Sequence, residues 1–217
     1  MTSLLVADGL HKSYQEGGRP LSVLSGADLD LAPGELTALT GPSGSGKSVL
    51  LDLLAGWSPP DAGTVRWADN PKPPGWSGLG LVPQAMGLLP DLTVWHNVVL
   101  PLRLERGATG LGAEEPFVMH LLERLGLDML RDRSPGELSF GEQQRVSIAR
   151  AVILAPPLVL ADEPSSHQDA RSARAVLSVL RDVCRRGGSV LLTSHDDDVL
   201  ALSDRVLRIT EGRVVEA

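Results

Sequence analysis

The sequence predicts an α/β fold: a mostly parallel sheet, an N-terminal antiparallel β layer and an inserted helical subdomain. Three observations carry that expectation. Short apolar runs at residues 35–40, 157–162 and 188–194 alternate with helical patterns, as strands do when a sheet is covered on both faces. A long, largely helical stretch over about 85–155 interrupts the alternation. Residues 3–31 and 63–68 carry strand patterns of their own and are assigned to a separate antiparallel layer.

Taken in order, residues 3–14 and 21–31 read as strands joined by the turn-like QEGGRP. Residues 35–40 form a short apolar strand. A Gly-rich loop and a helix from Gly46 to about Ala55 follow, with Val49, Leu50, Leu53 and Leu54 on one buried stripe. Residues 63–68 are a strand, 68–78 a Pro/Gly loop, and 79–84 a strand that ends at Gln84. Residues 92–155 are largely helical, broken by GATGLG at 107–112 and RDRSPG at 131–136. A buried strand at 157–162, a helix at 170–185 and a buried strand at 188–194 come next. Residues 204–210 and 213–216 pair around the turn Glu211-Gly212.

Bulk properties narrow the function classes. A chain of 217 residues supports one sizeable domain. Aromatic residues make up only 3%, so the core must be built from Leu, Val and Ala. The net charge of -7 argues against broad nucleic-acid binding. Cys184 is the single cysteine, which excludes an intrachain disulfide and a Cys-based zinc site; its helical setting predicts a buried thiol. The N-terminus lacks the basic-then-apolar pattern of a signal peptide. The longest uncharged apolar run, residues 151–161, is too short to span a bilayer and holds two prolines. The expectation is a cytoplasmic protein that reaches the membrane only through a partner.

The chemistry begins at GPSGSGKS, from Gly41 to Ser48, which fits G-x-x-x-x-G-K-[ST] between an apolar strand and an amphipathic helix. Residues Gly41, Pro42, Ser43, Gly44, Ser45 and Gly46 form a loop whose backbone N–H groups, absent only at Pro42, can surround phosphate oxygens, continuing into Val49 at the helix start. Lys47 supplies a point charge for the terminal phosphates, and the Ser48 hydroxyl is placed to ligate Mg²⁺. LVLADEP, residues 158–164, is the complement. Its strand delivers Asp162 for Mg²⁺ and Glu163 as general base for an attacking water. Adjacent carboxylates on a strand point to opposite sides, so the two roles require the strand to end there and the chain to turn. Together the motifs define a P-loop NTPase core.

A narrower resemblance rests on LSFGEQQR, residues 138–145, which is similar to the LSGGQ signature of ABC-type ATPases. Further landmarks stand in that family's order: Gln84 at the Q-loop, Asp169 closing the D-loop stretch PSSHQD, His195 at the switch position and Tyr14 at the adenine-stacking position. The resemblance spans essentially the whole chain. It implies that residues 1–217 are one ABC ATPase domain, with the helical subdomain of about 85–155 inserted in a RecA-like core. It implies that Gln84 reaches both the catalytic site and Mg²⁺, and that His195 contacts the γ-phosphate. Ser139, Gly141 and Glu142 would complete the ATP site of a second subunit, a homodimer being expected. The wording around residues 88–104 is similar to the lipoprotein-release, macrolide-export and cell-division branch, which implies a membrane permease on the cytoplasmic face, contacting the helical subdomain near Met86–Trp95. A soluble or regulatory ABC ATPase that gates a non-transport partner is the alternative; no nucleic acid partner is expected.

The chain departs from the family pattern at three places. The loop at 68–78 is short, His167 and Gln168 stand where Asn and Leu are frequent, and Phe140 replaces the first glycine of the signature pair. Phe140 is tolerable only if its φ is negative, and negative φ is the expectation.

Overall fold

The computed structural model describes residues 3–68, 77–106 and 114–217. Two sheets stack around helix α1 (Lys47–Leu54). The smaller is antiparallel, in the order β2 (Arg19–Leu31), β1 (Leu5–Glu16), β4 (Ala62–Trp67). Its β1–β2 hairpin turns through Gly17 and Gly18, both at positive φ, which suits a twisted two-residue connection. The larger sheet runs β5 (Leu79–Val82), β6 (Leu158–Ala161), β7 (Ser189–Thr193), β3 (Leu36–Thr40), β8 (Arg205–Thr210), β9 (Arg213–Glu216). All its neighbours are parallel except the final β8–β9 hairpin. The antiparallel layer and the mostly parallel sheet both agree with the sequence expectation.

The central parallel strands are mostly apolar because their side chains feed two cores. In β6, Leu158 and Leu160 join α1 and the antiparallel sheet on one face. Val159 and Ala161 join the helices on the other. Strand β7 repeats this, with Leu191 on the first face and Val190 and Leu192 on the second. Period-two alternation between two buried faces explains why no polar residue interrupts β6. Between β5 and β6 the chain forms α2 (Val94–Arg106), α3 (Glu115–Arg124) and α4 (Phe140–Val152), with short 3-10 turns at Asp128–Leu130 and Pro135–Glu137. Helix α5 (Ala170–Arg185) packs on β7, and α6 (Asp197–Ala201) is a single short turn after it.

Several details differ from the sequence reading. Strand β5 stops at Val82, two residues before Gln84, because Pro83 has no N–H with which to continue a ladder. On α1 the buried positions are Leu50, Leu51, Leu53 and Leu54, while Val49 is only partly covered. Between two sheets a helix buries more than one stripe. The 68–78 loop, apart from its ends, and the GATGLG break lie outside the described residues. Cys184 is buried on α5, and burial pushes its thiol up to about 11, so it is a packed, inert group.

The parallel register brings four chain turns to one edge. Val82 pairs with Ala161, Ala161 with Leu192, and Leu39 with Thr193. The residues that follow β5, β6, β7 and β3 therefore emerge side by side at the carboxyl ends of the strands, where ligands bind in open α/β sheets. Helix α4 presses on β5 closely enough that a Cβ at Gly80 would lie 2.4 Å from the Ala151 carbonyl oxygen. Gly80→Ala is expected to cost about 1–3 kcal/mol by overpacking in urea unfolding. Gly136→Ala, with open space around it, should stay within about 0.5 kcal/mol.

Candidate functional site

The loop after β3 is built for close approach. Gly41 has φ 151, and a Cβ there would meet Ile209 at 2.7 Å; Gly46 has φ 102, and its Cβ would meet Val23 at 2.8 Å. Only glycine fits either position. The Lys47 ammonium donates to the carbonyls of Gly41 (2.8 Å) and Pro42 (3.0 Å), so it is held across the loop it serves. The Ser45 hydroxyl is buried without a hydrogen-bond partner among the described residues. A cradle of backbone N–H groups at a helix start, a captive lysine and an unsatisfied buried hydroxyl fit a polyphosphate.

Opposite the cradle, β6 ends at Ala161 and Glu163 has φ 48. The chain turns there, so the two carboxylates escape strand alternation, as separate roles for them would require. Thr193 organises this turn. Its hydroxyl donates to Asp162 Oδ1 at 2.6 Å and accepts from the Glu163 N–H at 2.8 Å. The Glu163 carboxylate meets His195 Nδ1 at 3.1 Å. A cleft of about 430 Å³ is lined by Gly41, Ser43, Lys47, Gln84, Asp162, Glu163 and His195, joined by Phe140, Gln144, Ser166 and His167. An adjoining cavity of about 210 Å³ brings Ser48, Gln84 and Asp162 together, a hard-oxygen set suited to Mg²⁺. Asp52 lines it too; burial, then the charge of Asp162, raises its carboxyl above the usual range.

Of the other sequence-chosen residues, Phe140 lines this cleft, whereas Tyr14, Ser139, Gly141, Glu142 and Asp169 do not. Tyr14 is half-exposed near the β1 end, with the Lys12 ammonium 5.7 Å from its ring centre. Ser139 is the N-cap of α4 and forms a capping box with Glu142. Glu142 Oε2 accepts from the Ser139 N–H and hydroxyl, both at 2.7 Å, and these bonds hold the carboxyl below its usual value. Asp169 caps α5, accepting from the N–H groups of Arg171 and Ser172. Gly141 sits in the first turn of α4, against the His167 carbonyl. Phe140 is the first residue of α4 and is not among the positive-φ residues, so the expected negative φ is present. Its ring is half-exposed and meets His167 edge-on at 4.8 Å.

The segment after Gln84 divides. Met86 is buried, Leu88 and Trp95 pack against the core, and Leu89 is exposed. Of the apolar side chains Met86, Leu88, Leu89 and Trp95, only Leu89 is exposed, because the turn folds inward. Asn97 holds it there: its amide donates to the carbonyls of Leu89, Leu92 and Thr93 and accepts from the Leu89 N–H. Arg150 donates to the Met86 and Gly87 carbonyls. Thr193, Asn97 and Arg150 were not singled out from sequence. Only Thr193 had a local signal, standing two residues before His195 at a strand end.

Comparison with known proteins agrees with this geometry. The family model described as ABC transporter matches residues 24–166. The lipoprotein-releasing system ATP-binding protein LolD of Pseudomonas syringae pv. tomato is 40% identical, over 99% of this chain and 98% of its own length. That of Anaeromyxobacter dehalogenans is 39% identical, over 99% and 93%. A solved dimeric ATP-binding cassette in a post-hydrolysis state, bound to ADP and Pi, superposes with TM-score 0.88 at 28% identity, covering 98% of both chains. The dimeric structure of a bacterial ABC transporter cassette superposes with TM-score 0.89 at 30% identity, covering 97% of this chain and 96% of that one. The class is an ABC-type ATPase. This chain belongs to the ABC transporter family as an ATP-binding subunit.

Since Phe140 has an ordinary backbone and an edge contact, Phe140→Gly should change steady-state ATPase activity by less than about threefold, the scale of losing one weak ring contact. A large gain would show Phe140 to be a brake.

Proposed function

We propose that two copies of this chain close around ATP and drive a membrane permease of the lipoprotein-releasing kind. The observation that carries the reading is a divided site. Cradle, carboxylates and His195 share one cleft that Phe140 and Gln144 of α4 also line, whereas Ser139 and Gly141 at the start of that helix do not line it and are available to a second molecule. The dimeric cassettes and the lipoprotein-releasing relatives support it. In this reading Gly41 to Val49 hold the phosphates, Tyr14 stacks on adenine, and Ser139, Gly141 and Glu142 meet the nucleotide held by the partner, with Asp169 at the same junction. Ser48, Asp162 and Gln84 would hold Mg²⁺, which neutralises charge on the phosphate oxygens when bound. Glu163 accepts the proton of the attacking water, and His195, bonded to it, keeps the carboxylate aimed.

ATP favours the closed dimer because it binds that state more tightly; after hydrolysis the preference is lost. Gln84 passes the change to the helices between β5 and β6, read as the inserted subdomain of about 85–155. The permease contact is assigned to an apolar groove of about 470 Å³ beside that loop, lined by Trp57, Leu89, Leu100, Pro101, Leu104 and Leu154. Trp57 and Leu104 are each 59% exposed, and exposed aromatic and aliphatic side chains around a groove suit an inserted helix. Among the described residues no helix is long and apolar enough to cross a membrane. In this reading the chain sits on the cytoplasmic face, held by the permease.

Two experiments test this reading. Glu163→Gln should lower ATP turnover at least a hundredfold, the scale of a lost general base, while ATP-bound dimer accumulates in size-exclusion chromatography; unchanged turnover would remove Glu163 from the role. Leu104→Asp should abolish co-purification with the permease in detergent while turnover of the isolated subunit stays at the wild-type level. Undiminished co-purification would move the contact elsewhere.

A further inference from the structure

We propose that Gln168 is a positioning residue that ties the signature turn of a chain to that chain's own catalytic turn, so that one nucleotide site senses the other. The inference rests on the shared-site reading above. Gln168 stands in the short stretch between Glu163 and the Asp169 cap of α5, partly buried against the start of α4. Its Oε1 accepts from Arg145 Nη1 at 2.6 Å. Its Nε2 donates to the Gly141 carbonyl at 2.9 Å and to Gln144 Oε1 at 3.0 Å. Gln144 Nε2 in turn donates to the Glu163 carbonyl at 2.6 Å and to Ser166 Oγ at 3.3 Å. The Ser166 hydroxyl donates to the same Glu163 carbonyl at 2.8 Å.

The direction of these bonds is set by chemistry. A guanidinium only donates, so the Gln168 oxygen must face Arg145. Its NH₂ must then face Gly141 and Gln144, which forces the Gln144 oxygen toward Gln168 and the Gln144 NH₂ toward Glu163. Every donor and acceptor of both amides is used, and Gln144 is 5% exposed. A satisfied polar network of this kind holds one geometry. It runs without a gap from the Glu163 carbonyl, at a left-handed turn, to the Gly141 carbonyl in the first turn of α4.

The consequence follows from where the two ends lie. Glu163 faces the nucleotide of its own cleft, and the N-terminus of α4 faces the partner's. A shift of the Glu163 backbone moves Gln144, Gln168 and then the turn that meets the second nucleotide. An apolar residue at position 168 would remove the second bond on the Gly141 carbonyl, which also accepts within α4, and would take away the donor that faces the Gln144 oxygen. It would also take a hydrogen-bond acceptor from Arg145, whose Nε already has no partner among the described residues.

The test uses full-length chain in the Glu163→Gln background, with and without Gln168→Glu or Gln168→Leu. Gln168→Glu keeps the acceptor for Arg145 and removes the two donations, so it separates positioning from folding. Two quantities are measured: MgATP affinity at concentrations where the chain is monomeric, and the ATP concentration that half-saturates dimerisation. Both variants should keep monomer affinity and need about tenfold more ATP to dimerise, as expected for loss of one or two buried hydrogen bonds. Adding Gln144→Leu to Gln168→Glu should cause no further loss, since the two residues act in series. If Gln168→Leu fails to fold, Gln168→Glu alone decides. An unchanged dimerisation midpoint, or an equal loss of monomer affinity and dimerisation, would overturn the proposal. Absence of ATP-driven dimer without any change at 168 would instead overturn the shared-site reading.

Discussion

The parallel pairing of β5, β6, β7 and β3 is the constraint on which the rest depends. It is a backbone register, fixed by Val82 opposite Ala161, Ala161 opposite Leu192 and Leu39 opposite Thr193. Its stability comes from burying both faces of apolar strands, one against α1 and the antiparallel sheet, the other against the helices. A one-residue slip would exchange the two faces and separate the turns that follow. With the register in place, Gly41, Gln84, Asp162 and His195 arrive at one sheet edge from four distant parts of the chain. The buried Thr193 hydroxyl then joins two of these turns by bonding both Asp162 and Glu163.

A second layer of polar contacts gives the site its handles. Asn97 and Arg150 fix the turn after Gln84 to the helices, and Gln144 with Gln168 fixes the start of α4 to the Glu163 turn. Each sets buried or partly buried amide or guanidinium donors on backbone carbonyls of turns and helix starts. Leaving such carbonyls unpaired would be costly. The same bonds make the loops move with the helices that hold them. A displacement of one of these loops is therefore passed to its helix, where a floppy loop would absorb it.

The readable parts of the site are the contiguous ones. GPSGSGKS, LVLADEP and the signature stretch each carry their chemistry within a few residues, next to the strand or helix that presents them. Strand existence was legible for the same reason, since apolar runs of four or five residues flanked by turn signals stand out. The Phe140 backbone was legible because a helix start requires negative φ. What sequence did not show depends on long-range contact. Thr193 and Asp162 are far apart in the chain and bond only because β6 and β7 are neighbours. Gln144 and Gln168 look like ordinary polar residues until α4 and the D-loop stretch are placed together. Met86 and Trp95 resembled an exposed patch because hydrophobicity alone does not say which side of a turn faces inward; Asn97 decides that. Pro83 ends β5 at Val82 because it has no N–H with which to extend the ladder.

The central claim is that the start of α4 serves a nucleotide held by another copy of the chain. Ser139→Asp tests it most directly. Aspartate ranks with serine as an N-cap and can still accept from the Glu142 N–H, though it loses the hydroxyl donation to the Glu142 carboxylate, so α4 should still start there while a negative charge is set where phosphate would approach. Calorimetric titration of monomeric chain with MgATP, paired with sedimentation analysis in the Glu163→Gln background, reads both consequences. The account predicts unchanged monomer affinity and loss of the ATP-dependent dimer. Loss of monomer affinity with the dimer retained would contradict it, because Ser139 would then belong to its own chain's site.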